Sequence, residues 1–112
     1  MSDEIIFKEG VIRELQEYVH AKIKERGFED ESVHERILLL MEEVGELVNA
    51  VRNTTGMYVD TGREINRQAG EEVADLINFV FAIGIALGID IEEEFRKKEE
   101  KVDKRKYARS KK

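Results

Sequence analysis

Three long stretches of this sequence repeat apolar residues every three to four positions, and no proline interrupts any of them. That period matches the 3.6-residue turn of an α-helix, so one apolar stripe can face a core. The first stretch covers about residues 5–26, with Val11, Ile12, Leu15, Tyr18, Val19 and Ile23 on its stripe and Gly27 as its stop. The second opens at Ser32-Val33-His34-Glu35, a capping-box pattern, and runs through Ile37, Leu40, Met41, Val44, Leu47, Val48 and Val51 to about residue 53. Thr54-Thr55-Gly56 and Gly62 bracket a loop, in which Thr61-Gly62-Arg63-Glu64 is a second capping-box candidate.

The third stretch follows that loop and reaches Leu87, before Gly88. Val73, Leu76, Ile77, Val80, Ile83 and Leu87 hold one face, and Phe79, Phe81, Ile85 and Ala86 widen it. A helix apolar on so many sides takes a central place or meets another copy of the chain. Asp90 is the expected N-cap of a fourth helix, from residue 91 to about 108. No strand alternation and no internal repeat is present. The expectation is one all-α domain over residues 1–112, a compact bundle of about four helices with a basic tail at about 107–112. At 112 residues the chain can bury one core but not two.

Charge narrows the function classes. The net charge is −6, yet residues 96–112 carry ten basic and three acidic groups. Such an end can meet a polyphosphate, or it can be a solvated helix end favoured by the helix dipole. Without aromatic platforms or a reading motif, nucleic acid is not the expected partner. No apolar run approaches the roughly 18 residues of a membrane span, and the first nine residues lack the pattern of a signal peptide, so a cytoplasmic location is expected. With no cysteine there is no disulfide framework and no thiolate metal site.

Glu43 and Glu46 lie three apart in the second stretch, and Glu72 and Asp75 repeat the spacing in the third. Residues at i,i+3 share a helix face, so antiparallel packing brings both pairs to one point. Leu38-Leu39-Leu40-Met41 precedes the first pair and Leu76-Ile77 follows the second. Carboxylates in such surroundings repel one another unless a cation neutralises them. Oxygen donors without histidine or cysteine at ligand spacing select magnesium or manganese over zinc or iron. Magnesium in turn favours a few carboxylates together with substrate phosphates. A single such pair is ordinary on a charged helix; two pairs in the most apolar parts of two helices are not.

Glu42-Glu43-Val44-Gly45-Glu46, a spacer of twenty-five residues, and Glu72-Val73-Ala74-Asp75 resemble the signature of the MazG-like, all-α nucleoside triphosphate pyrophosphohydrolases. Asp75-Leu76-Ile77, Leu87-Gly88-Ile89-Asp90 and the late run Lys98, Lys101, Lys104-Arg105 are similar too, and the resemblance covers roughly residues 11–106. It implies magnesium-dependent cleavage of a nucleoside triphosphate to monophosphate and pyrophosphate. Glu43, Glu46, Glu72 and Asp75 would then be the metal ligands, and Glu42 either accepts the proton of the attacking water or stays solvated. The resemblance also implies a homodimer or homotetramer.

Other substrate contacts are weaker expectations. His20 and Phe28 can stack on or bond to a base, though core packing is the better reading of His20. Asn78 shares the face of Asp75 and can bond to sugar or phosphate, or to a local partner when buried. Lys98, Lys101 and Arg105 share a face that can engage a triphosphate. Arg63 and Arg67 can approach phosphates or balance Glu64 and Glu71. Two rivals stand beside the leading expectation: hydrolysis of phosphoribosyl-ATP, and a non-catalytic helical adaptor.

Overall fold

The computed structural model describes residues 5–62 and 68–111. They form four helices in chain order: α1 (Val11–Glu25), α2 (Val33–Thr54), α3 (Ala69–Ala86) and α4 (Ile91–Asp103). The class is all-α, with no strand among the described residues.

The helix ends follow the local chemistry. Ser32 caps α2, its hydroxyl accepting the Glu35 N–H at 3.1 Å, and Asp90 caps α4 by accepting the Glu93 N–H at 3.1 Å. Both α1 and α3 close in Schellman turns around a left-handed glycine, Gly27 (φ 79°) and Gly88 (φ 70°). In the first, Phe28 N–H donates to Ile23 O and Gly27 N–H to Lys24 O; in the second, Ile89 N–H donates to Gly84 O and Gly88 N–H to Ile85 O.

Three expected boundaries are corrected. Residues 5–8 are not helical and α1 starts at Val11, because the carboxylate of Glu92 holds its N-terminal turn. Glu92 is only 1% exposed and accepts from the N–H groups of Gly10, Ile12 and Arg13 at 3.0–3.3 Å. Helix α3 starts at Ala69, since Gln68 just before it is extended (φ −99°, ψ 132°). Thr61 and Gly62 form a turn in which Gly62 N–H donates to Asp60 Oδ1, while Arg63, Glu64 and Arg67 lie outside the described residues. Helix α4 ends at Asp103, not near Ala108: beyond Val102 no apolar residue of the run Lys104–Lys106 can hold another turn against a core.

Helix α2 lies along α3, and α1 rests on α3 and α4. Arg36, at the start of α2, meets Ala82 near the end of α3, whereas Glu43 and Glu46 meet Glu72 near its start. The two helices are therefore antiparallel, and α3 takes the central place its sequence predicts. Helix α4 turns away from α3 by 103°. Gly84 permits that elbow, since a Cβ there would lie 2.8 Å from the Ile91 side chain.

The single chain is not a compact bundle, contrary to expectation. Its radius of gyration is 18.1 Å, against about 13 Å for a compact domain of this size. Only Val19, Ala50 and Ala82 are fully buried apolar residues among those described. Leu38, Met41 and Val48 on α2, and Val73, Ile77 and Val80 on α3, keep large apolar faces in water. The apolar surface written into α2 and α3 exceeds what α1 and α4 of the same chain can cover.

Candidate metal and nucleotide site

The antiparallel pairing of α2 and α3 brings Glu43, Glu46 and Glu72 together. One carboxylate oxygen from each lies within 4.8 Å of the others. Glu72 is 3% exposed, and Glu43 and Glu46 are half-buried. Oε2 of Glu43 is out of water and meets no hydrogen-bond donor among the described residues. Asp75, one turn along α3, is exposed beside the group, near enough for its charge to act on Glu43. Glu42 is exposed and stands outside the three-carboxylate group.

This crowding changes the protonation of Glu43, which is pushed from the usual 4.5 up to about 8. Loss of solvent contributes most, followed by hydrogen bonding to the Glu72 and Glu46 side chains and the negative charges of Glu46 and Asp75. Between these two values the metal-free native state keeps a proton that the unfolded chain has released. Stability attributable to this group is thus full below about 4.5 and lost as pH rises through about 8. The loss is on the order of 2–3 kcal/mol once solvent screening of a half-buried group is allowed for. Thermal melts of the metal-free protein between pH 5 and 9 are expected to show that decline, Glu43→Gln to flatten it, and magnesium to reverse it. A wild-type slope equal to that of Glu43→Gln would contradict the assignment.

A divalent cation fits this donor set. Three carboxylates at mutual ligand spacing, one of them kept protonated by loss of solvent first and by its acidic neighbours second, offer hard oxygen donors. Next to them lies a cavity of about 190 Å³, lined by Val19, Ile23, Arg26 and Phe28 from α1 and its end, and by Asp75, Asn78, Phe79 and Ala82 from α3. The Asp75 carboxylate, an amide, a guanidinium and two aromatic rings thus share one wall system.

The sequence pattern of the phosphoribosyl-ATP pyrophosphohydrolases matches residues 10–104, which spans all four helices and both acidic pairs. The chain belongs to this family. Within the MazG-like, all-α superfamily, such proteins are hydrolases acting on phosphoric anhydride bonds, and this chain is a nucleotide pyrophosphohydrolase. Membership sets aside the non-catalytic adaptor. No curated protein and no solved structure matches the chain significantly.

The remaining expected substrate residues divide between this cavity and other surfaces of the pyrophosphohydrolase. Phe28 and Asn78 line the cavity; Asn78 is exposed rather than buried, and its amide donates to Ala74 O at 3.3 Å. His20 is exposed, so the core reading fails: Val19, its neighbour, takes the buried place on α1. His20 lines two other cavities, of about 380 Å³ each, and not the one holding Asp75. Lys98 and Lys101 line a groove along α4 with Lys97 and Lys104, apart from the acidic group, and Arg105 lies beyond the end of α4.

Two residues beside the site escape a sequence reading. Arg26 joins the cavity only because the turn at Gly27 folds the end of α1 toward α3. Arg36 is 4% exposed, although its surroundings, His34-Glu35-Arg36, read as a solvated first turn. No periodicity marks either one. Among the described residues, no single helix is long and apolar enough to cross a membrane.

Proposed function

We propose that this enzyme is a magnesium-dependent nucleoside triphosphate pyrophosphohydrolase, converting NTP or dNTP and water to the monophosphate and pyrophosphate. Keeping the cytoplasmic nucleotide pool free of unwanted triphosphates is the role this suggests. The observation that carries the reading is the convergence of Glu43, Glu46 and Glu72 beside the cavity that Asp75 and Asn78 line.

Glu43, Glu46, Glu72 and Asp75 would hold the magnesium, with manganese as a competent substitute. When bound, the cation supplies neutralisation of phosphate charge and a lowered pKa for water. Release of the shared proton from Glu43 frees the carboxylate for that task. Glu42, exposed and outside the three-carboxylate group, would take a proton from water without competing for the ligand role. Phe28 offers a ring face to a base, Asn78 an amide to sugar or phosphate, and Arg26 a positive charge. The bare apolar faces of α2 and α3 support a homodimer or homotetramer, an assembly in which His20, Lys98, Lys101 and Arg105 would complete substrate binding from other surfaces.

A second reading rests on the family match: the substrate is phosphoribosyl-ATP, whose triphosphate presents the same anhydride bond. A panel of NTPs, dNTPs and phosphoribosyl-ATP, followed by pyrophosphate release in magnesium, separates the two. The proposal expects at least one simple triphosphate to match or exceed phosphoribosyl-ATP in kcat/KM. A preference of about 10³-fold or more for phosphoribosyl-ATP would replace the first reading with the second, since that is the discrimination a site built for the extra ribosyl phosphate can reach.

A further inference from the structure

The buried Arg36 takes no part in the chemistry above, yet it touches two walls of the nucleotide cavity from behind. Its Nη1 donates to Ala82 O of α3 at 2.6 Å, and its Nη2 donates to Phe28 O at 3.2 Å. Ala82 and Phe28 both line the 190 Å³ cavity, whereas Arg36 does not. It lines instead the cavity on the other side, with His20, Glu29 and Glu31. We propose that Arg36 is a positioning residue for nucleotide binding: by tying the Phe28 carbonyl to α3, it sets the Phe28 ring as a wall of the cavity beside Asp75. This inference rests on the triphosphate reading of that cavity.

The backbone around Phe28 shows why one more tie matters. The Phe28 N–H is already fixed to Ile23 O by the Schellman turn at Gly27. On its other side the chain enters a short connection before Ser32, where only the Glu31 N–H, at 3.3 Å, reaches back to Phe28 O. The planar fork of a guanidinium bridges two carbonyls on different elements from two separate nitrogens, whereas lysine would have to serve both from one nitrogen and an apolar residue serves neither. A buried arginine is costly compared with an apolar residue of the same volume, so stability alone favours a methionine here.

Loss of Arg36 also leaves neither carbonyl without a donor. Phe28 O keeps Glu31 N–H, and Ala82 O keeps its place in the α3 ladder. The expected consequence is a misplaced wall rather than an unfolded protein. With the Phe28 ring facing the base rather than the phosphates, as proposed above, its displacement weakens ground state and transition state alike.

The test is steady-state kinetics of the full chain with saturating magnesium and its best triphosphate, for wild type, Arg36→Met, Arg36→Lys, Phe28→Ala and Arg36→Met with Phe28→Ala. Arg36→Met is expected to raise KM about tenfold with kcat within about threefold, and Arg36→Lys, which can reach one carbonyl, to recover part of the loss. On the Phe28→Ala background, Arg36→Met should add less than about twofold. A fall in kcat at unchanged KM, or an effect of full size on that background, would overturn the proposal. If Arg36→Met does not fold, Arg36→Lys carries the same comparison, alone and with Phe28→Ala. A wild-type enzyme that releases no pyrophosphate from any triphosphate overturns the catalytic reading and this one together. An active wild type with a failed Arg36 series overturns this one alone.

Discussion

Replacing Glu72 by glutamine is expected to lower pyrophosphate release at least about 10³-fold, equivalent to about 4 kcal/mol of lost transition-state stabilisation. Glu72 is the most buried member of the acidic group, at 3% exposure, and the one α3 residue whose oxygen lies within 4.8 Å of those of Glu43 and Glu46 in that group. Glutamine keeps the size and one acceptor oxygen but removes the charge a divalent cation needs. The same change relieves repulsion among three crowded carboxylates, so the metal-free variant should melt no lower than wild type. Loss of activity without loss of stability separates a ligand from a structural residue. Asp75→Asn, at an exposed position, is expected to behave alike. Full activity in both variants would remove the metal assignment.

The second large effect concerns assembly. Leu38 on α2 is 70% exposed, Val80 on α3 is half exposed, and both helices carry further bare apolar side chains along the same lengths. A stable protein of this size does not leave such faces in water, so a second copy is expected to cover them. Leu38→Glu combined with Val80→Glu places two charges in that contact, and an unpaired buried charge costs several kcal/mol. Light scattering should find wild type as a dimer or tetramer at micromolar concentration, and the double variant as a monomer with little activity. A wild type that stays monomeric under the same conditions would contradict the assembly.

How far these features were legible varies with their physical origin. The convergence of Glu43, Glu46 and Glu72 was readable because i,i+3 spacing is local and projects side chains from one face, whereas Asp75, at the same spacing and beside the same kind of apolar flank, is exposed. The caps at Ser32 and Asp90 were readable for the same reason. The start of α1 was not, because it is decided by Glu92, some eighty residues away, whose neighbours Glu93 and Glu94 are exposed and look identical in sequence. Solvent loss, the strongest influence on that carboxylate, raises its pKa, but the N–H groups of Gly10, Arg13 and Ile12 and the charge of Arg13 outweigh it and hold the pKa low. His20 was misread because the stripe predicts which face is apolar, not how much of it a neighbour covers. Arg36 gave no signal, since its partners are backbone carbonyls of Phe28 and Ala82, and carbonyls have no sequence signature.

In the proposed function Glu43, Glu46, Glu72 and Asp75 hold a divalent cation against a nucleoside triphosphate. Manganese binding followed by electron paramagnetic resonance, with and without an α,β-methylene triphosphate that resists cleavage, tests it most directly. If cation and triphosphate share one site, each strengthens the binding of the other by the same factor. Wild type is predicted to bind manganese more tightly when the analogue is present, and Glu72→Gln to lose both the binding and the coupling. Manganese affinity that is unchanged by Glu72→Gln, or indifferent to the analogue, would contradict the account.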